Sequence, residues 1–178
     1  MVEIEFLDYD ENTHKTDYLN MFLEYGKGLD EQVVNTYGYH LIPEGNIKKL
    51  AERLVPQFTS YDKSEELLLI LKIDGKTAGT ARLDKFADKI GFVHQVFIYP
   101  EFRGNGYSKQ LMYVLEERAR KFGYSYLRLD TGGFNVVAQN LYRKLGYVEI
   151  ERFTPVSGLE NEKTRQYFNE KVHMEKKL

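Results

Sequence analysis

A chain of 178 residues is one domain's worth of polypeptide, and a net charge of −2 excludes the strongly basic surface that nucleic acid or an anionic membrane would call for. It has no cysteine, which excludes disulfides, thiolate metal sites and a covalent acyl-cysteine intermediate. With no signal peptide and no apolar stretch of spanning length in view, the expectation is a single cytoplasmic domain over residues 1–178, with no metal, no nucleic-acid partner and no membrane partner.

In chain order, Glu3 to Tyr9 alternates and reads as an opening strand. Thr16 to Leu29 places Tyr18, Leu19, Phe22, Leu23 and Leu29 on one helical face, with Gly26 and Gly28 weakening its end. Asp30 reads as the N-cap of a second short helix through Tyr37, stopped by Gly38. Ile47, Leu50, Ala51 and Leu54 predict another helix, ended by Pro56. From Leu67 the pattern changes to strands. Leu67 to Ile73 and Lys76 to Leu83 flank Asp74-Gly75, a favoured two-residue hairpin turn. Ile90 to Ile98 is nearly continuous in apolar character, which suits a central strand.

That strand feeds a loop containing Arg103, Gly104, Asn105 and Gly106. The following helix carries Leu111, Met112, Leu115, Ala119 and Phe122 at helical spacing and stops at Gly123. Glycines at 104 and 106 permit a tight turn and close approach to a ligand. The first N–H groups of the helix, around Gly106 to Lys109, lack a carbonyl one turn back, and Arg103 stands beside them with a fork of donors. The loop is suited to an anion, most simply a phosphate or diphosphate. It is not a dinucleotide fingerprint, because Lys109 stands where the third glycine would be. Nor is it a phosphate loop closed by Gly-Lys-Ser/Thr. Beyond it, Tyr126 to Asp130 reads as a strand parallel to Ile90–Ile98. A helix from Asn135 to Leu145, a strand from Tyr147 to Arg152 and a last strand near Gln166 to Glu175 complete an α/β sheet.

The pair of motifs Arg103-x-x-Gly106-x-Ser108 and Asn135-x-x-Ala138-x-x-Leu141-Tyr142-x-x-x-Gly146-Tyr147 resembles the GNAT family of acetyl-CoA-dependent N-acetyltransferases. The resemblance is specific from Lys89 to Arg152, weaker from Leu67, and says almost nothing about the first sixty residues. It implies an α/β fold with a mixed central sheet of six to seven strands, helices on both faces, and parallel central strands that splay apart. It further implies acetyl-CoA as co-substrate. Its diphosphate would lie on Arg103, Gly104, Asn105, Gly106, Tyr107, Ser108 and Lys109, and its pantothenate arm along Val96, Phe97 and Ile98, with Asn135 as an amide partner. Tyr142 takes the family's position for the donor to the leaving sulfur. Ser108 departs from the Gly or Ala usual there, a small change at a good helix opener. Phe92 stands where many members carry a Glu, so that carboxylate base is missing.

The chemistry sets two proton problems. An amine of pKa near 10.4 is neutral in only about one part in 10³–10⁴ at pH 7, worth roughly 4–5 kcal/mol, so a base must take its proton. The leaving thiolate needs a donor, and stabilising the sulfur as charge builds is the safer description of what Tyr142 does. A backbone N–H near Val96 to Ile98 would serve the carbonyl oxygen. His94 has a suitable ordinary pKa for the base, but reads first as a core histidine; Glu151, Asp130 or a water chain are rivals. Tyr142 could likewise be a packing residue, Asn135 a helix cap and Lys144 a solvated lysine. The resemblance implies that the acceptor, a small-molecule amine or a protein amine, meets the helices at Tyr18 to Tyr39 and the stretch Thr154 to Thr164, where carboxylates and tyrosines could select a cation or simply form solvated faces. A homodimer is left open. A CoA-binding module without catalysis and an unrelated nucleotide binder are the competing readings.

Overall fold

The computed structural model describes residues 2–42, 46–153 and 160–178. Strand β1 (Ile4–Asp8) leads into helix α1 (Glu11–Tyr37), whose N-cap Asp10 accepts from the Thr13 N–H and whose end is set by Gly38 in the left-handed region. The break expected at Asp30 is absent, and α1 is one helix of 27 residues. The Asp30 carboxylate instead accepts from the Ile42 N–H and pairs with His40, fastening the segment after the helix back onto it. Gly26 keeps its place because a Cβ there would come within 2.4 Å of Ile47. Close approach of the next helix outweighs the helix-weakening tendency of glycine.

That next helix, α2 (Ile47–Thr59), runs through Pro56 instead of ending at it. One ladder bond is forgone there. The turn beyond is held by packing, with Phe58 against the rings of Phe22 and His94 and the Arg82 guanidinium 5.1 Å from its centroid. Strands β2 (Leu67–Ile73), β3 (Lys76–Ala87) and β4 (Ile90–Ile98) form an antiparallel meander, β3 running four residues past its expected end. A 3₁₀ turn (Pro100–Phe102) leads to α3 (Tyr107–Lys121), then β5 (Tyr126–Thr131), α4 (Val136–Lys144) and a two-residue β6 (Val148–Glu149).

The last expected strand is divided. Arg165–Asn169 is a short helix, α5, and only Val172–Lys177 is strand β7. Adjacent Tyr167 and Phe168 are both buried with Val33 and Leu41; a strand would have sent them to opposite faces, whereas a helical turn keeps both in one core.

The sheet order is β1-β2-β3-β4-β5-β7-β6, with β4 and β5 the parallel pair. This is the mixed α/β sheet of seven strands that the resemblance implies. One face packs Leu69, Leu83, Val93, Leu127 and Leu129 against Leu111, Met112 and Leu115 of α3. The opposite face packs Leu68, Ile70 and Phe97 against Tyr18 and Met21 of α1 and Val55 of α2. The parallel ladder is short. It joins Ile90–Val93 to Tyr126–Leu129 and goes no further, although both strands continue. At the point of separation β4 carries a bulge, since its pairing to β3 steps from Arg82↔His94 to Thr80↔Phe97, three residues against two. Gln95 takes the extra place with φ of +53°. Its side-chain carbonyl oxygen accepts from the buried Tyr18 hydroxyl, which holds the bulge against α1.

Candidate active site

The loop that leaves β4 is shaped to leave donors free. Gly104 and Gly106 both have positive φ, at +83° and +78°, and Gly106 is the residue before α3 with no side chain capping the helix. Among the described residues, the N–H groups of Gly104, Asn105, Gly106, Tyr107 and Ser108 find no acceptor; Lys109 is the first to donate, to the Gly106 carbonyl. A Cβ placed at Gly104 or Gly106 would meet nothing within 4 Å, so the space in front of these donors is open. Arg103 is anchored by its Nε to the Ile98 carbonyl at 2.9 Å, and its guanidinium lies 5.8 Å from the Phe97 centroid. Among the described residues its guanidinium forms no ion pair with a carboxylate. Consecutive free N–H groups, a helix N-terminus and a guanidinium together fit a diphosphate.

From this loop a fork runs inward. Val96, Phe97 and Ile98 lie beyond the last pairing of β4 to β5, while Phe97 and Ile98 remain paired to Thr80 and Gly79 of β3. The fork therefore exposes one unpaired strand edge, the kind of surface an extended amide-bearing chain can pair with. On the other side, Asn135 caps α4 by accepting from the Ala138 N–H through its side chain, and α4 supplies Tyr142. Tyr142 is 7% exposed and packs edge-to-face on Tyr147. Its hydroxyl has no hydrogen-bond partner among the described residues. Burial, then the nearby Tyr25 and Asp130, push its pKa above the ordinary phenol value, so it stays protonated at working pH.

A family profile described as Acetyltransferase (GNAT) family matches residues 35–147, more than half of the chain and the whole of the fork. The chain belongs to the GNAT acetyltransferase family. Among relatives, the uncharacterized N-acetyltransferase YycN of Bacillus subtilis is 33% identical over 60 residues, 34% of this GNAT chain and 38% of that protein. This chain thus spans well under half the length of such a relative. An acetyltransferase from Streptococcus agalactiae superposes with a TM-score of 0.71 at 19% identity, covering 98% of both chains. The PaiA N-acetyltransferase of Thermoplasma acidophilum, solved in complex with coenzyme A, gives 0.70 at 18%, covering 99% of both. These two likenesses are likenesses of fold.

In this GNAT chain His94 lies on the same face as Phe92, on which it stacks at 5.2 Å. Its Nε2 is 2.8 Å from Asp84, whose other oxygen takes the Arg82 Nε. Burial pushes the Asp84 carboxyl up, but the hydrogen bond and charge of His94 and those of Arg82 outweigh it, and the net direction is down. A depressed carboxylate stabilises the folded state above its ordinary value near 3.9, and that contribution is lost as pH falls below about 4. Asp84→Asn should lower stability by about 3 kcal/mol, because Arg82, 4% exposed, loses its carboxylate. The midpoint of urea unfolding measures it; a shift of under about 0.5 kcal/mol would show that the trio does not hold α2 to the sheet.

Residues that the sequence motifs do not single out also gather at the fork. Asp130 is the first residue of β5 past the last pairing to β4, and Lys171, just before β7, forms an ion pair with it. Tyr25 of α1 and Tyr167 of α5 stand within reach of the Asp130 charge; burial first, and that charge second, push Tyr25 up to about 12. Of the stretches expected to meet an acceptor, α1 lies over this face, whereas Thr154 to Leu159 fall outside the described residues. Among the described residues no helix is long and apolar enough to cross a membrane.

Proposed function

We propose that this protein is an acetyl-CoA-dependent N-acetyltransferase that moves the acetyl group directly to a primary amine while both substrates are bound. The supporting observation is the run of free N–H groups from Gly104 to Ser108, set at the mouth of a fork that leads to an unpartnered phenol. The loop and Arg103 hold the diphosphate, and the β4 edge at Val96 to Ile98 pairs with the pantothenate amides. Asn135 orients α4 toward the same arm. A β4 N–H near the bulge receives the carbonyl oxygen as charge develops on it. Tyr142 donates to the departing sulfur. A phenol at or above pKa 10 lies at least about 1.5 units above a thiol, so complete transfer is uphill by roughly 2 kcal/mol or more. A hydrogen bond that strengthens as the thiolate forms is the more effective form of help.

Acetyl-CoA should raise the melting temperature of the protein, while ATP and NAD should leave it unchanged. At 100 times the dissociation constant the stabilisation is about 2.7 kcal/mol, which for a domain of this size is a shift of several degrees. Free-thiol release in the presence of an amine panel then separates an enzyme from a CoA-binding module. Equal shifts with all three nucleotides would overturn the assignment of the loop, and thiol release no faster with any amine than without would overturn catalysis.

A further inference from the structure

Two buried groups next to the fork have polar atoms that no described residue satisfies. His173 of β7 is 5% exposed, and neither of its ring nitrogens has a hydrogen-bond partner among the described residues. It stands directly opposite Asp130 in the β5–β7 ladder, on the same face of the sheet. The Asp130 side chain is 9% exposed; one oxygen is paired with Lys171 and the other, Oδ2, is unsatisfied. An unmade hydrogen bond at a buried polar atom costs about 1–3 kcal/mol, so three such atoms side by side ask for a ligand that completes them.

The groups around them define its chemistry. Phe153 closes one side, edge-on to the imidazole at 4.8 Å. Lys171 lies over the rings of Tyr167 and Phe168 while it holds Asp130, which demonstrates that this corner accommodates an alkylammonium against a carboxylate and aromatic faces. The phenols of Tyr25, Tyr142 and Tyr167 all lie near enough to feel the Asp130 charge. We propose that Asp130 and His173 form the acceptor subsite, in which Asp130 Oδ2 holds the substrate ammonium and the His173 imidazole takes its proton. His94, held by Asp84, is thereby relieved of that role.

The proposal rests on the acetyltransferase reading and names its base. The step balances as follows. R–NH₃⁺ gives one proton to the free imidazole nitrogen, and the nitrogen lone pair forms the N–C bond to the acetyl carbon as the C–S bond breaks. The nitrogen loses its second proton to solvent, the departing thiolate is held by the Tyr142 hydrogen bond and takes a proton from solvent, and the imidazolium returns its own, leaving one net proton released. For this His173 must start neutral. Burial lowers its pKa; Asp130 opposes this, and Lys171 and Arg152 reinforce it. One step along the same face, Arg128 and Glu175 pair with each other. From α1 and α5 the titratable groups that reach its neighbour Asp130 are the phenols of Tyr25 and Tyr167.

The test is the pH dependence of kcat/KM with whichever amine the wild type uses best. Wild type should lose activity as pH falls through a midpoint below the ordinary histidine value. His173→Gln, which keeps a donor and acceptor but cannot titrate, should lose about 100-fold in kcat/KM and that acidic limb with it, at an unchanged melting temperature. A limb that persists in an active variant would overturn the proposal and leave the acetyltransferase reading intact. A wild type that releases no thiol with any amine would overturn both. Should the variant unfold, ¹⁵N-imidazole spectra of the wild type decide: the His173 signals should shift on addition of the amine, and signals that stay put overturn the proposal.

Discussion

Tyr142→Phe is expected to lower kcat by about 100-fold or more and to leave acetyl-CoA affinity unchanged. The substitution removes one oxygen from a ring otherwise fixed by burial and by its edge-to-face contact with Tyr147, so the fork and the anion loop keep their shape. The hydroxyl has no hydrogen-bond partner among the described residues to lose, and the variant should be no less stable than wild type. Loss of rate without loss of binding is the signature of an interaction made only as charge develops. Calorimetric acetyl-CoA binding beside steady-state thiol release measures both terms. A wild-type rate would remove Tyr142 from the chemistry and leave it a core tyrosine, whereas a rise in dissociation constant equal to the fall in rate would make it a binding residue.

Gly106→Val should cost at least about 100-fold in acetyl-CoA affinity, or about 2.7 kcal/mol. Two effects combine. A φ of +78° is in the left-handed region, where a β-branched residue is strained by about 1–3 kcal/mol. The valine methyls would also project into the open space in front of the free N–H groups. Because no chain atom lies within 4 Å of the added Cβ, the fold itself has room, and the variant should melt cooperatively with a modestly lowered midpoint. Unchanged binding by a folded variant would mean that the diphosphate lies elsewhere. A variant that no longer melts cooperatively would mean that the left-handed turn is a folding requirement before it is a ligand site.

The parts of this architecture written in local pattern were legible in the chain. The strands from Leu67 to Ile98, the glycine loop and the helices that begin at Tyr107 and Val136 depend on periodicity, turn residues and caps, which act over a few positions. What escaped depends on distant partners. The helix through Asp30 continues because its carboxylate is taken by Ile42 and His40, and α2 passes Pro56 because Phe58 has Phe22, Arg82 and His94 to pack on. Gln166–Asn169 looked like strand because Tyr167 and Phe168 are strand-formers by composition; only the core made with Val33 and Leu41 tells which way they turn.

The site divides along the same line. The loop and Tyr142 are recognisable as spaced residues within one motif each. Which of its two readings His94 follows could not be told from β4 alone, because its carboxylate partner, Asp84, lies on a neighbouring strand; the alternation of Arg82 and Asp84 along β3 was the available signal. His173 gave none, being one histidine in a short strand near the end of the chain, and the role proposed for it arises only from its standing across from Asp130 where β5 parts from β4.

The additional residue at Gln95 also transposes inside and outside along β4. Before it Val93 faces α3 and His94 faces the first two helices; after it Val96 and Ile98 return to the α3 layer while Phe97 joins Tyr18 and Met21. Counting by twos from Ile90 therefore assigns the wrong layer to everything past the offset. A homologous segment grafted into this strand without that offset would carry the apolar stripe of its outer half to the opposite layer and close the gap in the ladder that the proposed pantothenate site requires.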